Sequence, residues 1–186
     1  MLNLLPLVAA AAFGQGVQVT GGAAPYQVFQ RDASNTAVIR VDGTAQAKAV
    51  EARLIAKGLV LPGFDWKQAG LVSGGRFNAE IAAVPAGGPY RLELRGAGST
   101  AVTGIDNLLV GDLWVLAGQS NMEGVGNLEN TPLPSALVNS FDMTDAWVAA
   151  EDPLHRLVDA VDSFHWRRNP EKKAERLSGP ALDKWI

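Results

Sequence analysis

The sequence has no cysteine. That excludes a disulfide framework, a thiolate metal site and a cysteine nucleophile, and it leaves the redox compartment open. Histidine is nearly as scarce: His155 and His165 are the two present, and they lack the tight spacing of a paired metal site. Charge of one sign is also missing. Sixteen Lys and Arg stand against nineteen Asp and Glu, for a net charge of −3. No basic run is available to follow a phosphate backbone, so nucleic acid is excluded as an expected partner. Nor is any apolar run long enough for a transmembrane helix, the longest being LNLLPLVAAAAF at residues 2–13.

What is present is ordinary for a globular chain. With 186 residues and 47% apolar residues, it can bury a real core in one or two domains. Residues 1–14 fit a secretory signal peptide, with small residues at Ala12 and Gly14 where a signal peptidase would cut. The n-region carries no Lys or Arg, and the competing assignment is a first buried strand or helix. The expectation is a secreted or periplasmic protein.

From Val17 to about Val110 the pattern is strand after strand. Tyr90, Leu92 and Leu94 alternate with Arg91, Glu93 and Arg95; Phe77, Ala79 and Ile81 alternate with polar neighbours; and so do Val50, Ala52 and Leu54. Residues 36–42 form another β-branched run, with a turn expected at Asp42-Gly43. Further turn signals stand at Pro62-Gly63, Gly74-Gly75, Gly87-Gly88-Pro89 and Gly96-Ala97-Gly98. The spacing predicts a small β-sandwich over residues 15–107. Phe64 and Trp66 are expected to pack in the core or between domains, with stacking on a sugar ring as the alternative.

After Val110 the texture changes. Residues 113–117, LWVLA, show no alternation, as in a strand covered on both faces of a parallel sheet. They run into Gly118, Gln119, Ser120 and Asn121, and ligands of open α/β sheets sit just beyond such strand ends. Residues 120–123 also fit the S-x-x-E capping box of a new helix turn. The two roles are compatible, because a serine opening a helix lies near backbone N–H groups and the positive end of the dipole, where an oxyanion is stabilised. The α/β-hydrolase elbow G-x-S-x-G is excluded, since Met122 stands where its second glycine belongs.

The stretch GDLWVLAGQSNMEG at 111–124 resembles the sialate O-acetylesterase group of SGNH-type carbohydrate esterases. The segments PYQVFQRD at 25–32, GGPYRLEL at 87–94 and WVAAEDPLH at 147–155 are similar to the same family. The resemblance implies a mixed β and α/β chain: a β-sandwich followed by the incomplete start of a flavodoxin-like SGNH hydrolase α/β domain over residues 108–186. It implies Ser120 as the nucleophile, lending its own N–H to the oxyanion hole, with Gln119 and Asn121 shaping the pocket. The implied reaction removes O-acetyl groups from sugars, sialic acid among them, through an acetyl-serine intermediate. The implied partner is a small-molecule or glycan substrate bearing O-acetyl groups. No cofactor and no metal are implied, because an activated serine needs neither. Oligomeric state is left unassigned.

A serine hydroxyl becomes a useful nucleophile only when a base takes its proton, which calls for a histidine oriented by a carboxylate. Asp152-Pro-Leu-His155 is literally D-x-x-H, but the family's catalytic pair comes near the end of the catalytic domain, well downstream of the serine. Asp152 instead suits a helix N-cap and Pro153 the first helical position, with Leu154, Leu157, Val158 and Val161 on one apolar face. His155 and His165 are therefore not assigned to catalysis. After residue 120 only one short strand, near residues 138–143, and one or two helices are expected, too few for a doubly wound domain. The expectation is an N-terminal portion of a longer esterase, with the catalytic His and Asp beyond residue 186 and little activity of its own. The competing function class is a secreted β-sandwich binding or spacer module with a vestigial hydrolase segment.

Overall fold

The computed structural model describes residues 16–118, 129–152, 154, 159–161, 167–168 and 174–175. Nine strands make one continuous sheet: β1 (Gln18–Gly21), β2 (Val28–Gln30), β3 (Thr36–Thr44), β4 (Ala49–Ala56), β5 (Leu59–Val60), β6 (Lys67–Ser73), β7 (Arg76–Pro85), β8 (Gly87–Gly96) and β9 (Thr103–Gly111). Their order is β1-β3-β7-β6-β4-β8-β9-β2, with β5 added to β4. Every pairing is antiparallel except β2 with β9. Two small antiparallel ribbons follow among the described residues: β10 (Asn139–Phe141) with β11 (Trp147–Ala149), and β12 (Arg167–Arg168) with β13 (Ala174–Glu175).

The sheet curls into a half-barrel because β6 changes partners along its length. Val72 and Ser73 pair with β7, while Lys67, Gln68, Gly70 and Leu71 pair with β4. Such strand-switching makes the corners of strongly curved sheets. Gly70 permits the crossover: a Cβ there would lie 2.4 Å from the Asn78 carbonyl oxygen, so any side chain would force β6 off β7. A bulge opposite Val38 sharpens the bend of β7, since Ala37 pairs with Val84 but Ile39 pairs with Ile81. Ala83, inside that bulge, takes a positive φ of 55°.

Alternation decides which face is buried. Ile39, Val41, Val50, Leu54, Leu92 and Leu108 are fully enclosed on the concave side, and Phe77, Ala79 and Tyr90 join them. Each large aliphatic side chain so enclosed contributes about 1.5–3 kcal/mol relative to exposure. The convex side of β4, β8 and β9 is ionic. Glu51 stands opposite Arg95 and Arg53 opposite Glu93 in register, joined at 2.7 Å in both cases. Arg91 links Glu93 at 2.9 Å to Asp106 at 2.7 Å.

One tight turn falls on an expected glycine signal, Gly74-Gly75, and a second, Lys57-Gly58, does not. Lys57-Gly58 and Gly74-Gly75 are two-residue hairpin loops with both residues at positive φ, the type I′ pattern that suits right-handed strand twist. Asp42-Gly43 is no turn. β3 runs through it to Thr44, with Asp42 facing Asn78 and Gly43 facing Phe77, so the long partner β7 keeps the strand extended.

The expected fold class is corrected in both halves. The strands form one curled half-barrel sheet rather than a two-layer sandwich, because β6 bridges the would-be layers by hydrogen bonds. No flavodoxin-like α/β start is seen: the described residues contain no α-helix, and residues 113–117 are not a strand. Pairing runs out at Gly111 because β8 begins opposite Val110, at Gly87, and β2 ends opposite Gly111, at Gln30. Trp114, Val115 and Leu116, expected to be covered on both faces, are 84%, 90% and 70% exposed. Leu154 and Val161, expected on one apolar helix face, are exposed, while Leu157 and Val158 of that face lie outside the described residues.

Candidate functional site

The candidate site is approached along β9. A bulge at Asp106 and Asn107 lies between the pairs Leu92 with Ile105 and Tyr90 with Leu108, and Asn107 sits at a φ of 61°. It turns Asp106 toward Arg91. It also leaves the Asn107 carbonyl free to accept from Asn139 Nδ2 at 3.2 Å. The same amide donates to the Tyr26 carbonyl at 2.6 Å, so one side chain ties β10 to both the bulge and the start of β2.

β2 and β9 run parallel with Val28, Phe29 and Gln30 opposite Leu109, Val110 and Gly111. Both chains therefore leave the sheet at the same end. Arg31 N–H donates to the Gly111 carbonyl at 2.8 Å. Its guanidinium grips Asp112 through both Nε and Nη2, each at 3.0 Å, in the bidentate geometry that fixes direction as well as distance. Gln30 Oε1 accepts from the Leu113 N–H at 2.8 Å, while Gln30 Nε2 donates to the Arg31 carbonyl at 3.0 Å. The remaining Arg31 nitrogen donates to Asn35 Oδ1.

The charges answer to these contacts. The hydrogen bond from Arg31, with its positive charge, holds the Asp112 carboxyl below its ordinary range, and Asp112 in turn raises Arg31. Asp32 is lowered chiefly by the backbone N–H of Thr36, with the Thr36 hydroxyl and the Ser34 N–H adding to it. These contacts close an Asx-type turn that keeps residues 31–36 in one shape.

Beyond Gly118 the expected residues Gln119, Ser120 and Asn121 lie outside the described residues, and so do His155 and His165. Asp152 is described and exposed. Farther along, Phe141 and Trp147 meet edge to face at 5.5 Å on the β10–β11 ribbon. Asp142 accepts from the Thr144 hydroxyl at 2.6 Å, which lowers its pKa. A depression of about 100 Å³ adjoins this ribbon, lined in part by Ser140, Asp142, Met143, Glu151 and Asp159. Its three carboxylates make it a poor seat for the carboxylate of an acidic sugar. Among the described residues no three His, Asp or Glu side chains gather as metal ligands.

The aromatic pair singled out from sequence is used internally. Phe64 packs against the core and exchanges backbone hydrogen bonds with the β4 region through Leu54 and Leu61. Trp66 lies with its ring centre 4.0 Å from the Arg95 guanidinium carbon and 4.6 Å from that of Arg53. What sequence reasoning missed is the Gln30, Arg31 and Asp112 cluster. A charge pair 81 residues apart has no local signature in the sequence.

Residues 110–173 match the family model described as carbohydrate esterase, sialic acid-specific acetylesterase. The match covers about a third of the chain and includes Asp112 and residues 118–122. At a coarse level, then, this part of the chain is similar to a hydrolase of the carbohydrate esterase kind. No curated protein matches. Among solved structures, a chimeric titin tandem carrying a fibronectin peptide aligns at 19% identity over 52% of this chain and 50% of its own length. Its TM-score is 0.28, too low to bear on the fold.

Proposed function

We propose that the chain carries the nucleophile segment of a carbohydrate acetylesterase. The observation that carries this reading is the family match over residues 110–173, which contains the Gly118, Gln119, Ser120, Asn121, Met122 run. Ser120 attacks the carbonyl carbon of an O-acetyl group on a sugar. The sugar hydroxyl leaves, and water then releases acetate from acetyl-serine. The Ser120 N–H contributes to the oxyanion hole, and Gln119 and Asn121 shape the pocket. An O-acetylated sialic acid is the substrate suggested by the family's description. The proton of Ser120 goes to a histidine base oriented by a carboxylate, a role we do not give to Asp152 and His155. Residues 1–14 serve as a secretion signal in this reading, so the substrate is met outside the cytoplasm.

The internal use of Phe64 and Trp66 weighs against a purely sugar-binding module, since neither presents a ring free of protein contacts. The test is acetate release from O-acetylated sialic acid and other acetylated sugars by the full-length gene product and its Ser120→Ala variant. Loss of at least about 10³-fold in kcat/KM is expected for loss of a serine nucleophile. Turnover retained in the variant overturns the assignment.

A further inference from the structure

We propose that Gln30 and Arg31 are positioning residues for the serine segment, acting through Asp112 and the Leu113 N–H to set the direction in which the chain leaves β9 toward Ser120. This inference rests on the reading of Ser120 as nucleophile and adds to it a device in a distant part of the chain.

Three observations converge on it. The β ladder ends at Gly111, so the sheet's own hydrogen bonds no longer guide the chain beyond that residue. At that point two adjacent residues of the β2 segment engage three consecutive residues of the departing chain: Arg31 N–H on the Gly111 carbonyl, the Arg31 guanidinium on Asp112, and Gln30 Oε1 on the Leu113 N–H. Arg31 is itself braced by Asn35, within the turn that Asp32 closes. A forked guanidinium on a carboxylate fixes an angle, which a single hydrogen bond does not.

Asp112 and Leu113 are the first residues past the ladder, and the chain takes its starting direction toward residue 120 from them. Misplacement of a reacting group by about 1 Å costs on the order of 100-fold in rate. Exposure of the pair does not weaken this role. An exposed ion pair contributes little to stability, but a positioning contact is judged by geometry rather than by the free energy of folding.

The experiment compares Arg31→Gln, Asp112→Asn, the double variant and Gln30→Ala with the unaltered full-length gene product. It reads kcat and KM on 4-nitrophenyl acetate, and amide hydrogen exchange at Leu113 beside that of β3 and β7. Expected are a fall in kcat of about 10- to 100-fold with KM within about twofold, faster exchange at Leu113, and unchanged exchange in β3 and β7. The double variant should be no worse than either single one, because each removes the same contact. Unchanged kcat while Ser120→Ala is inactive overturns the clamp and spares the nucleophile. Faster exchange throughout β3 and β7, or losses that multiply in the double variant, also overturn the clamp. Absence of turnover in the unaltered protein, or turnover surviving Ser120→Ala, overturns the underlying reading and the clamp with it.

Discussion

Replacing Glu93 by glutamine should expose how much the convex ion-pair ladder contributes to the half-barrel. Glu93 is only 8% exposed, and its two oxygens are used separately, one accepting from Arg53 Nε at 2.7 Å and the other from Arg91 Nε at 2.9 Å. Burial pushes its pKa up, yet the hydrogen bonds and charges of Arg91 and Arg53 outweigh that and hold it below the ordinary 4.5. Glutamine keeps one acceptor but points an N–H₂ at the other guanidinium. One charge-assisted bond becomes neutral and the other becomes a donor facing a donor. For a well-buried acceptor each is worth about 1.5–3 kcal/mol. Arg53 and Arg91 are themselves 28% and 40% exposed, and solvent screening cuts this toward the surface-pair range. The sum is then about 1–2 kcal/mol. For a domain of this size that lowers Tm by about 5–15 °C.

The sign with pH follows from the lowered pKa. The Glu93 contribution is fully present above the ordinary carboxylate value of 4.5 and is lost as pH falls through the depressed folded value. Urea unfolding of the parent and Glu93→Gln from pH 7 to pH 2 should therefore show a constant gap down to about pH 5, closing below it. No gap at pH 7, or one that persists undiminished at pH 2, refutes the ladder as a stabilising device.

Other perturbations follow from the same geometry. Leu92→Ala empties a fully enclosed site and should cost about 2–5 kcal/mol in urea unfolding, more than any convex-face change. Gly70→Ala should cost about 1–3 kcal/mol although it adds a single methyl group, because the Asn78 carbonyl stands where the Cβ must go. Tm measured by circular dichroism checks it, and an unchanged Tm would mean that β6 does not need its close approach to β7. Trp66→Ala should cost about 1–2 kcal/mol by removing stacking on Arg53 and Arg95. It should leave acetylesterase turnover as it was, because the ring is engaged by the sheet's own arginines.

Much of the sheet was legible because alternation is a local signal. Phe77, Ala79 and Ile81, and likewise Leu92 and Leu94, face the core as their spacing requires, and Gly74-Gly75 makes the tight turn that two glycines favour. The layer arrangement was not legible. Whether β6 joins two halves or separates them depends on where Gly70 meets Asn78, a contact that no periodicity encodes. Asp42-Gly43 misled for a related reason, since a turn-prone pair yields to a long antiparallel partner.

Residues 113–117 misled because an unbroken apolar run says that burial is favourable, not that a partner strand is at hand. Here the ladder ends at Gly111 and Trp114 to Leu116 stand in solvent. At the candidate site, residues 118–122 stand out as a motif and fall within the family match. The Arg31 to Asp112 contact that aims the chain toward them emerged only when the parallel pairing of β2 and β9 brought the two segments together.

The nucleophile assignment has a direct chemical test. The full-length gene product is mixed with an O-acetylated sugar, quenched in acid during turnover and digested for mass spectrometry. The account predicts one added acetyl group on the peptide containing Ser120, located at the serine and absent from Ser120→Ala. Turnover with no acetyl group on that peptide, or with the acetyl group on another residue, would contradict it.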